Sequence, residues 1–222
     1  MRKNCIILLD TNICIFRTLA YVKPKILARD ILDKVILKID TLRNNNLACT
    51  LVITNTILSE LNNHKILFKE INDFCIEKLH HNPNGDYRTL AIFESAKKSI
   101  GKFILKHQII QPFLDFVQNC NINIDEIDRF YLSFPEKLAE ITSRKLNGLT
   151  FNQRNRRLAE RPNNLPEIND RILLAEAIEI NKKVDNDVYI FSQDSDFTEF
   201  SEEIKKQFGV NILKIDDGIE PE

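Results

Sequence analysis

The chain has 222 residues, of which 43% are hydrophobic and 28% are charged. A chain of this length can bury one well-packed core. The 31 basic and 32 acidic residues nearly cancel, which excludes a strongly basic nucleic-acid-binding protein and leaves any such role to local patches.

The sequence predicts neither a leader peptide nor a membrane span. The apolar run that follows the charged start MRKN is too short for a signal peptide, and no later apolar stretch could cross a bilayer. The five cysteines are odd in number and include no C-x-x-C pair, so we expect free thiols and no disulfide or zinc framework. We therefore expect a cytoplasmic protein without a membrane partner.

The first part of the chain is predicted to alternate between strands and helices. The apolar run CIILLD (5–10) predicts a buried strand. Residues 24–42 place apolar side chains at helical spacing after a proline, which predicts a helix. The segment ACTLVIT (48–54) is rich in Val, Ile and Thr and predicts a second strand. A helix is expected from about Asn55.

The remainder of the chain contains a long helical block followed by a return to strands. Residues 87–160 are predicted to be mostly helical and to form an insertion or cap on a single domain that spans 1–222. After a loop at 161–166, the predicted elements are a helix at 166–181, a strand at 187–192, an amphipathic helix at 196–208 and a strand at 210–215. Strands separated by helices predict an α/β fold with a parallel sheet covered on both faces.

Acidic residues fall at the predicted carboxyl ends of the strands, where open α/β sheets bind their ligands. Asp10 ends the first strand, and Asp194 and Asp196 follow the third. Glu60 lies in the helix after the second strand, and Asp170 lies in the first turns of a later helix. Each acid also has a structural interpretation as a helix cap, a partner of the helix dipole or an ordinary surface residue.

Together these acids indicate a metal site. Crowded carboxylates repel each other and resist ionisation unless a cation joins them, and the acidic motifs contain only one basic residue, Arg171, which cannot match all of the acids. Oxygen ligands suit Mg²⁺ or Mn²⁺ better than zinc. Such an ion, present singly or as a pair, leaves positions for substrate oxygens and can assist phosphodiester hydrolysis.

Four segments resemble, in order, the acidic motifs of PIN-domain nucleases: IILLDTN (6–12), ILSEL (57–61), INDRILLAEA (168–177) and FSQDSDF (191–197). By position, the resemblance implies a catalytic, metal-binding set that consists of Asp10, Glu60, Asp170 and Asp194. It implies an additional metal-site acid at Asp196. Supporting hydrogen bonds are implied for Thr11, Asn12 and Ser192.

The resemblance also implies an α/β/α sandwich with a central parallel sheet, Mg²⁺- or Mn²⁺-dependent cleavage and, usually, an RNA substrate. Many bacterial members are toxins paired with a protein antitoxin, others process or degrade RNA, and dimers are common. The expected partners are therefore RNA, an antitoxin and a second copy of the chain. The long gap between Glu60 and Asp170 departs from the compact toxin pattern and suggests a cap that shapes substrate choice.

A basic stretch at 143–161 leads into the segment that contains Asp170. Arginines beside a carboxylate site can hold the phosphate backbone of a polynucleotide, whereas a solvated helix face is the simpler interpretation. Phe151 could stack on a base, although interior packing is the more expected role. The candidate nucleic-acid-binding residues are Arg144, Lys145, Arg154, Arg156, Arg157 and Arg161.

The leading hypothesis is a metal-dependent endoribonuclease, and two other classes stay open. A non-catalytic PIN-like module would bind RNA or protein without cutting it. An aspartyl-phosphate phosphatase would use Asp10 as its nucleophile. Phosphatases that resemble haloacid dehalogenases need a second Asp two positions later, where this chain has Asn12.

Overall fold

The computed structural model describes residues 5–14, 34, 49–61 and 122–215. The helix predicted at 24–42 is outside this description except for one residue. The first part of the predicted helical block, up to residue 121, also lies outside the described residues.

A parallel four-stranded sheet forms the centre of the described structure. Its strands are β1 (Cys5–Leu9), β2 (Cys49–Val52), β3 (Asp187–Phe191) and β4 (Asn211–Leu213), in the order β2-β1-β3-β4. Every paired neighbour runs parallel, which confirms the predicted α/β fold. All five residues of β1 are buried, as expected for a central strand covered on both faces.

Helices with defined bounds occupy most of the described chain after the second strand. They are α1 (Ile124–Leu132), α2 (Pro135–Leu146), α3 (Phe151–Glu160), α4 (Ile168–Lys183), α5 (Ser195–Thr198) and α6 (Ser201–Phe208). Residues 11–14 and 55–61 are also helical. Each of these two segments follows a strand of the sheet, so its first residues lie at the carboxyl edge.

Two predicted helices differ from the observed ones in their bounds. The helix expected at 166–181 begins two residues later, because Glu167 has an extended backbone with ψ 151°. The helix expected at 196–208 is interrupted between α5 and α6, where Phe200 leaves the helical region with φ −100° and ψ 14°. Gly209 ends α6 in the left-handed conformation with φ 71°, which glycine adopts without a steric penalty.

The described part of the helical block shares the buried core of the sheet. Ile127 and Tyr131 of α1 and Leu138 and Ile141 of α2 belong to the same cluster as the β1 and β3 side chains. In contrast, α3 has no buried residue. No helix within the described residues is long and apolar enough to cross a membrane.

The prediction that all cysteines are free thiols is wrong at Cys5, which is disulfide-bonded. Cys14 is buried and is not part of a disulfide. The apolar surroundings of Cys5 indicated burial correctly, but local sequence does not reveal which cysteines the fold brings together.

Candidate metal centre

The candidate site begins where the two central strands end. The backbone N–H of Asp10 donates to the carbonyl oxygen of Phe191 at 3.1 Å, which extends the β1–β3 pairing by one residue. Ser192, directly after β3, donates its hydroxyl to Oδ2 of Asp10 at 2.6 Å. The same hydroxyl oxygen accepts the backbone N–H of Asp194 at 2.9 Å. Ser192 therefore fixes Asp10 relative to the turn that carries Asp194.

The Asp10 carboxyl is buried, with 4% of the residue exposed. The pKa of Asp10 is raised to about 6, mainly by burial and also by the negative charges of Asp194 and Glu60, which together outweigh the hydrogen bond from Ser192. The ionised form of a carboxyl in this position is therefore disfavoured. A nearby cation would favour the ionised form.

Asp170 reaches the same site from the first turn of α4. Burial, followed by the charges of Asp194, Asp10 and Asp196, raises the pKa of Asp170 well above its usual range. Within the described residues, no protein group donates a hydrogen bond to this carboxyl. One oxygen from each of Asp170, Asp194 and Asp196 lies within 4.8 Å of the others, so three acids from two chain segments share one small volume.

Glu60 lies in the helical residues 55–61 and is half-buried. Thr11 donates its hydroxyl to Oε2 of Glu60, and Asn169 donates its side-chain amide to Oε1 at 2.7 Å. These bonds join the chain after β1, the chain after β2 and the start of α4. Asn12, in contrast, is exposed.

Asp194 and Asp196 differ from each other in their contacts. Asp194 is the N-cap of α5, because its Oδ1 accepts the backbone N–H of Asp196 at 2.8 Å. Asp196 is instead fully buried and paired with cations. Burial alone would raise the pKa of Asp196, but hydrogen bonds from Arg161 and the charge of Lys145 hold it below its usual value.

The two cations do not come from the acidic motifs: Lys145 belongs to the helical block, and Arg161 directly follows it. Arg161 donates from its two terminal nitrogens to Asp196 at 2.5 and 2.8 Å. Lys145, in the last turn of α2, donates to Oδ1 of Asp194 and to Oδ2 of Asp196, each at 2.6 Å. Two of the acids are therefore paired with cations that lie outside the acidic motifs.

These contacts also argue against a nucleic-acid-binding role for two of the candidate residues, Arg161 and Lys145. Arg161 is 2% exposed, and its guanidinium further donates to the carbonyl oxygen of Asn164 at 3.3 Å. It is an internal counterion and not a surface residue that could reach a phosphate. Lys145 has only a quarter of its side chain exposed and is engaged by Asp194 and Asp196.

The other basic candidates lie on the surface. Arg144 is exposed and forms an ion pair with Glu199 at 2.5 Å. Arg154, Arg156 and Arg157 are exposed along α3. Phe151, at the start of the same helix, is 77% exposed, so the expectation that it packs in the interior is wrong.

Two residues near the site were not anticipated from the sequence. Asn169 orients Glu60 as described above, and it is adjacent to Asp170 in the motif that the sequence did indicate. Glu176, two turns further along α4, is 2% exposed and accepts the hydroxyl of Thr56 at 2.9 Å. Burial raises the pKa of Glu176 against hydrogen bonds from Thr54 and Thr56, and this contact holds α4 against the helix that carries Glu60.

The donor set fits a hard divalent cation. Asp10, Asp170 and Asp194 offer carboxylate oxygens, which Mg²⁺ and Mn²⁺ prefer. Asp170 lacks a hydrogen-bond donor in the described part of the chain, and the mutual repulsion of the acids would be relieved by positive charge. Both oxygens of Asp196 are already paired, so Asp196 is the least suitable ligand.

The chain matches no protein-family model, and no curated protein or solved structure is significantly similar to it.

Proposed function

We propose that this protein is a metal-dependent endoribonuclease with a PIN-like arrangement of its acidic residues. The observation that carries this proposal is the cluster of Asp170, Asp194 and Asp196 at the carboxyl edge of the parallel sheet, with Asp10 joined to it through Ser192. Ligand sites of open α/β sheets lie at this edge. One or two Mg²⁺ or Mn²⁺ ions are the proposed cofactors.

In the proposed mechanism the ion activates the reactants, and the side chains bind the ion and transfer the proton. The bound ion would supply Lewis acidity, which activates water and neutralises charge on the phosphate. Asp10, Asp170 and Asp194 would hold it, while Ser192 keeps the Asp10 carboxylate in place. Glu60 is fixed at the rim by Thr11 and Asn169, where it can accept a proton from the attacking water.

The proposed substrate is RNA, held in part by the exposed arginines of α3. A polynucleotide backbone binds such side chains through its phosphates, largely independently of sequence. A toxin that acts beside a protein antitoxin, or an RNA-processing enzyme, is the corresponding cellular role. A cytoplasmic location and a homodimer belong to the same proposal.

One observation favours a second candidate, a non-catalytic module that binds RNA or protein. Lys145 and Arg161 already neutralise Asp194 and Asp196. If these ion pairs were permanent, both acids of the turn after β3 would be structural. This candidate predicts RNA binding that persists in a chelator and no cleavage with any metal.

The direct test compares RNA cleavage by the wild-type protein, Asp10→Asn and Asp194→Asn in Mg²⁺ and in Mn²⁺. We expect each substitution to reduce cleavage by at least about 100-fold, as loss of a charged group that holds the reacting centre does. Asp185→Asn is the matched control, because Asp185 is exposed just before β3 at the opposite edge of the sheet. Unchanged cleavage in both site variants, or cleavage that a chelator does not stop, would overturn the proposal.

A further inference from the structure

The two cations in the acidic site are held in different ways. Arg161 is buried and grips both carboxylate oxygens of Asp196. Lys145 bridges Asp194 and Asp196 through a single ammonium group, and a quarter of its side chain is exposed. Arg161 is therefore a fixed counterion, whereas Lys145 has a route to solvent.

The Lys145 ammonium lies where a metal ion bound to Asp194 would lie. It lies 2.6 Å from Oδ1 of Asp194, within the group of acids whose oxygens approach to within 4.8 Å. A divalent ion binds carboxylate oxygens at about 2.1 Å. An ammonium on the same oxygen would then lie only a few ångströms from a doubly charged ion, and the two would repel each other strongly.

We propose that Lys145 is an exchangeable counterion of the metal centre: its ammonium holds Asp194 when no divalent ion is bound, and it must leave Asp194 before the ion can bind there. This inference rests on the proposed function, since that function assigns Asp194 to the metal. Lys145 is a positioning residue and not a catalytic one.

The local structure permits such an exchange without unfolding the site. A lysine ammonium is a compact charge on a flexible four-carbon stem, whereas a bidentate guanidinium is held in one plane. Lys145 lies one residue before the end of α2, and the following turn contains Gly148 with φ 76°. When Lys145 leaves, Arg161 still neutralises the buried Asp196, so the turn keeps its conformation.

Competition between the ammonium and the ion has a measurable consequence. In the wild-type protein, breaking the contacts of Lys145 costs free energy, and this cost weakens the observed binding of the metal. A variant with a neutral side chain of similar length should bind metal more tightly, although it is less stable when metal is absent. A lysine with a purely structural role would lower stability without raising metal affinity.

The experiment titrates Mn²⁺ into the metal-free full-length protein by isothermal calorimetry. Wild type is compared with Lys145→Met and Lys145→Gln, and each variant is also melted in chelator and in Mn²⁺ to establish that it is folded. The matched control is Lys137→Met, which removes the same charge two turns earlier in α2. Lys137 pairs with Glu203 at 2.6 Å, away from the acidic site.

We expect Mn²⁺ to bind both Lys145 variants at least about tenfold more tightly than wild type, a change of about 1.4 kcal/mol, and Lys137→Met to match wild type. We also expect the Lys145 variants to melt below wild type in chelator and to close this gap in Mn²⁺. Adding Asp194→Asn to Lys145→Met should abolish the gain in affinity.

Two different results would overturn the inference, and they are distinguishable. Equal or weaker Mn²⁺ binding by the Lys145 variants, with Asp194→Asn still reducing affinity, would refute the exchange and leave the metal centre standing. Absence of Mn²⁺ binding by every variant at millimolar concentration would refute the metal centre, and the exchange with it.

Discussion

Asp196 and Arg161 form a fully enclosed ion pair beside the candidate site. Their side chains are 0% and 1% exposed, so both charges have lost their hydration. The enclosure is tolerated because two N–H groups of Arg161 meet the two oxygens of Asp196. Removing one member of such a pair leaves an uncompensated buried charge, which is more costly than the pair itself.

We therefore expect Arg161→Met to lower the free energy of unfolding by about 3–5 kcal/mol, measured by urea denaturation in chelator. Arg156→Met on α3 is the control, because Arg156 has 83% of its side chain exposed and should change stability by no more than about 0.5 kcal/mol. Adding Asp196→Leu to Arg161→Met should recover much of the loss. A destabilisation below about 1 kcal/mol would mean that the pair is not enclosed as described.

Among the elements, α3 is unusual because packing does not explain its sequence. It has no buried residue, so its stability comes from local contacts. At its start, the side chain of Gln153 accepts the backbone N–H of Thr150 at 2.9 Å. Near its end, Arg156 pairs with Glu160 at 3.0 Å. A helix that is exposed along its length and rich in arginine is suited to contact another molecule.

We expect the triple variant Arg154→Gln, Arg156→Gln and Arg157→Gln to bind single-stranded RNA more weakly and with a shallower dependence on salt. Each lost phosphate contact should reduce the slope of log K against log salt concentration by about 0.7, so the full effect is about 2. Fluorescence anisotropy in chelator measures binding without cleavage.

The control for this experiment removes three exposed lysines elsewhere: Lys182→Gln, Lys205→Gln and Lys206→Gln, on α4 and α6. It makes the same change in net charge at a different surface. If the two triple variants lose RNA affinity and salt dependence equally, α3 has no specific role in binding and only the overall charge matters.

The strands could be predicted from sequence because central parallel strands are continuous apolar runs. The bounds of the helices are harder to predict from the sequence than the strands. The apolar spacing of Phe197, Phe200 and Ile204 fits one continuous helix as well as the observed pair, since all three side chains are buried in either case. The break depends on the backbone at Phe200 and on the Asp194 cap, which periodicity does not encode.

Part of the site was also predictable, because topology places the ends of parallel strands together. Asp10 and Asp194 follow neighbouring strands β1 and β3, so their proximity follows from the order of the sheet. The counterions could not be found in this way. Lys145 is 49 positions from Asp194 and Arg161 is 35 positions from Asp196, and their contacts depend on how the helical block folds back onto the sheet.

At the scale of the whole molecule, the mutual repulsion of the clustered acids opposes folding. The sheet, α4 and the turn after β3 bring like charges together, and Lys145 and Arg161 neutralise only some of them. Asp170 receives no hydrogen bond from the described residues and lies among three other carboxyls. Sites that are arranged for function commonly reduce stability in this manner.

We therefore expect Asp170→Asn to raise the free energy of unfolding in chelator by about 1 kcal/mol, because the amide removes a repelled charge at similar volume. Mn²⁺ at 100 times its dissociation constant should stabilise the wild type by about 2.7 kcal/mol and leave Asp170→Asn nearly unchanged. Urea denaturation with and without Mn²⁺ measures both effects, with Asp185→Asn as an exposed control that should behave as wild type in both conditions. If Asp170→Asn were instead less stable than wild type in chelator and gained as much stability from Mn²⁺, Asp170 would be a structural acid that the ion does not contact.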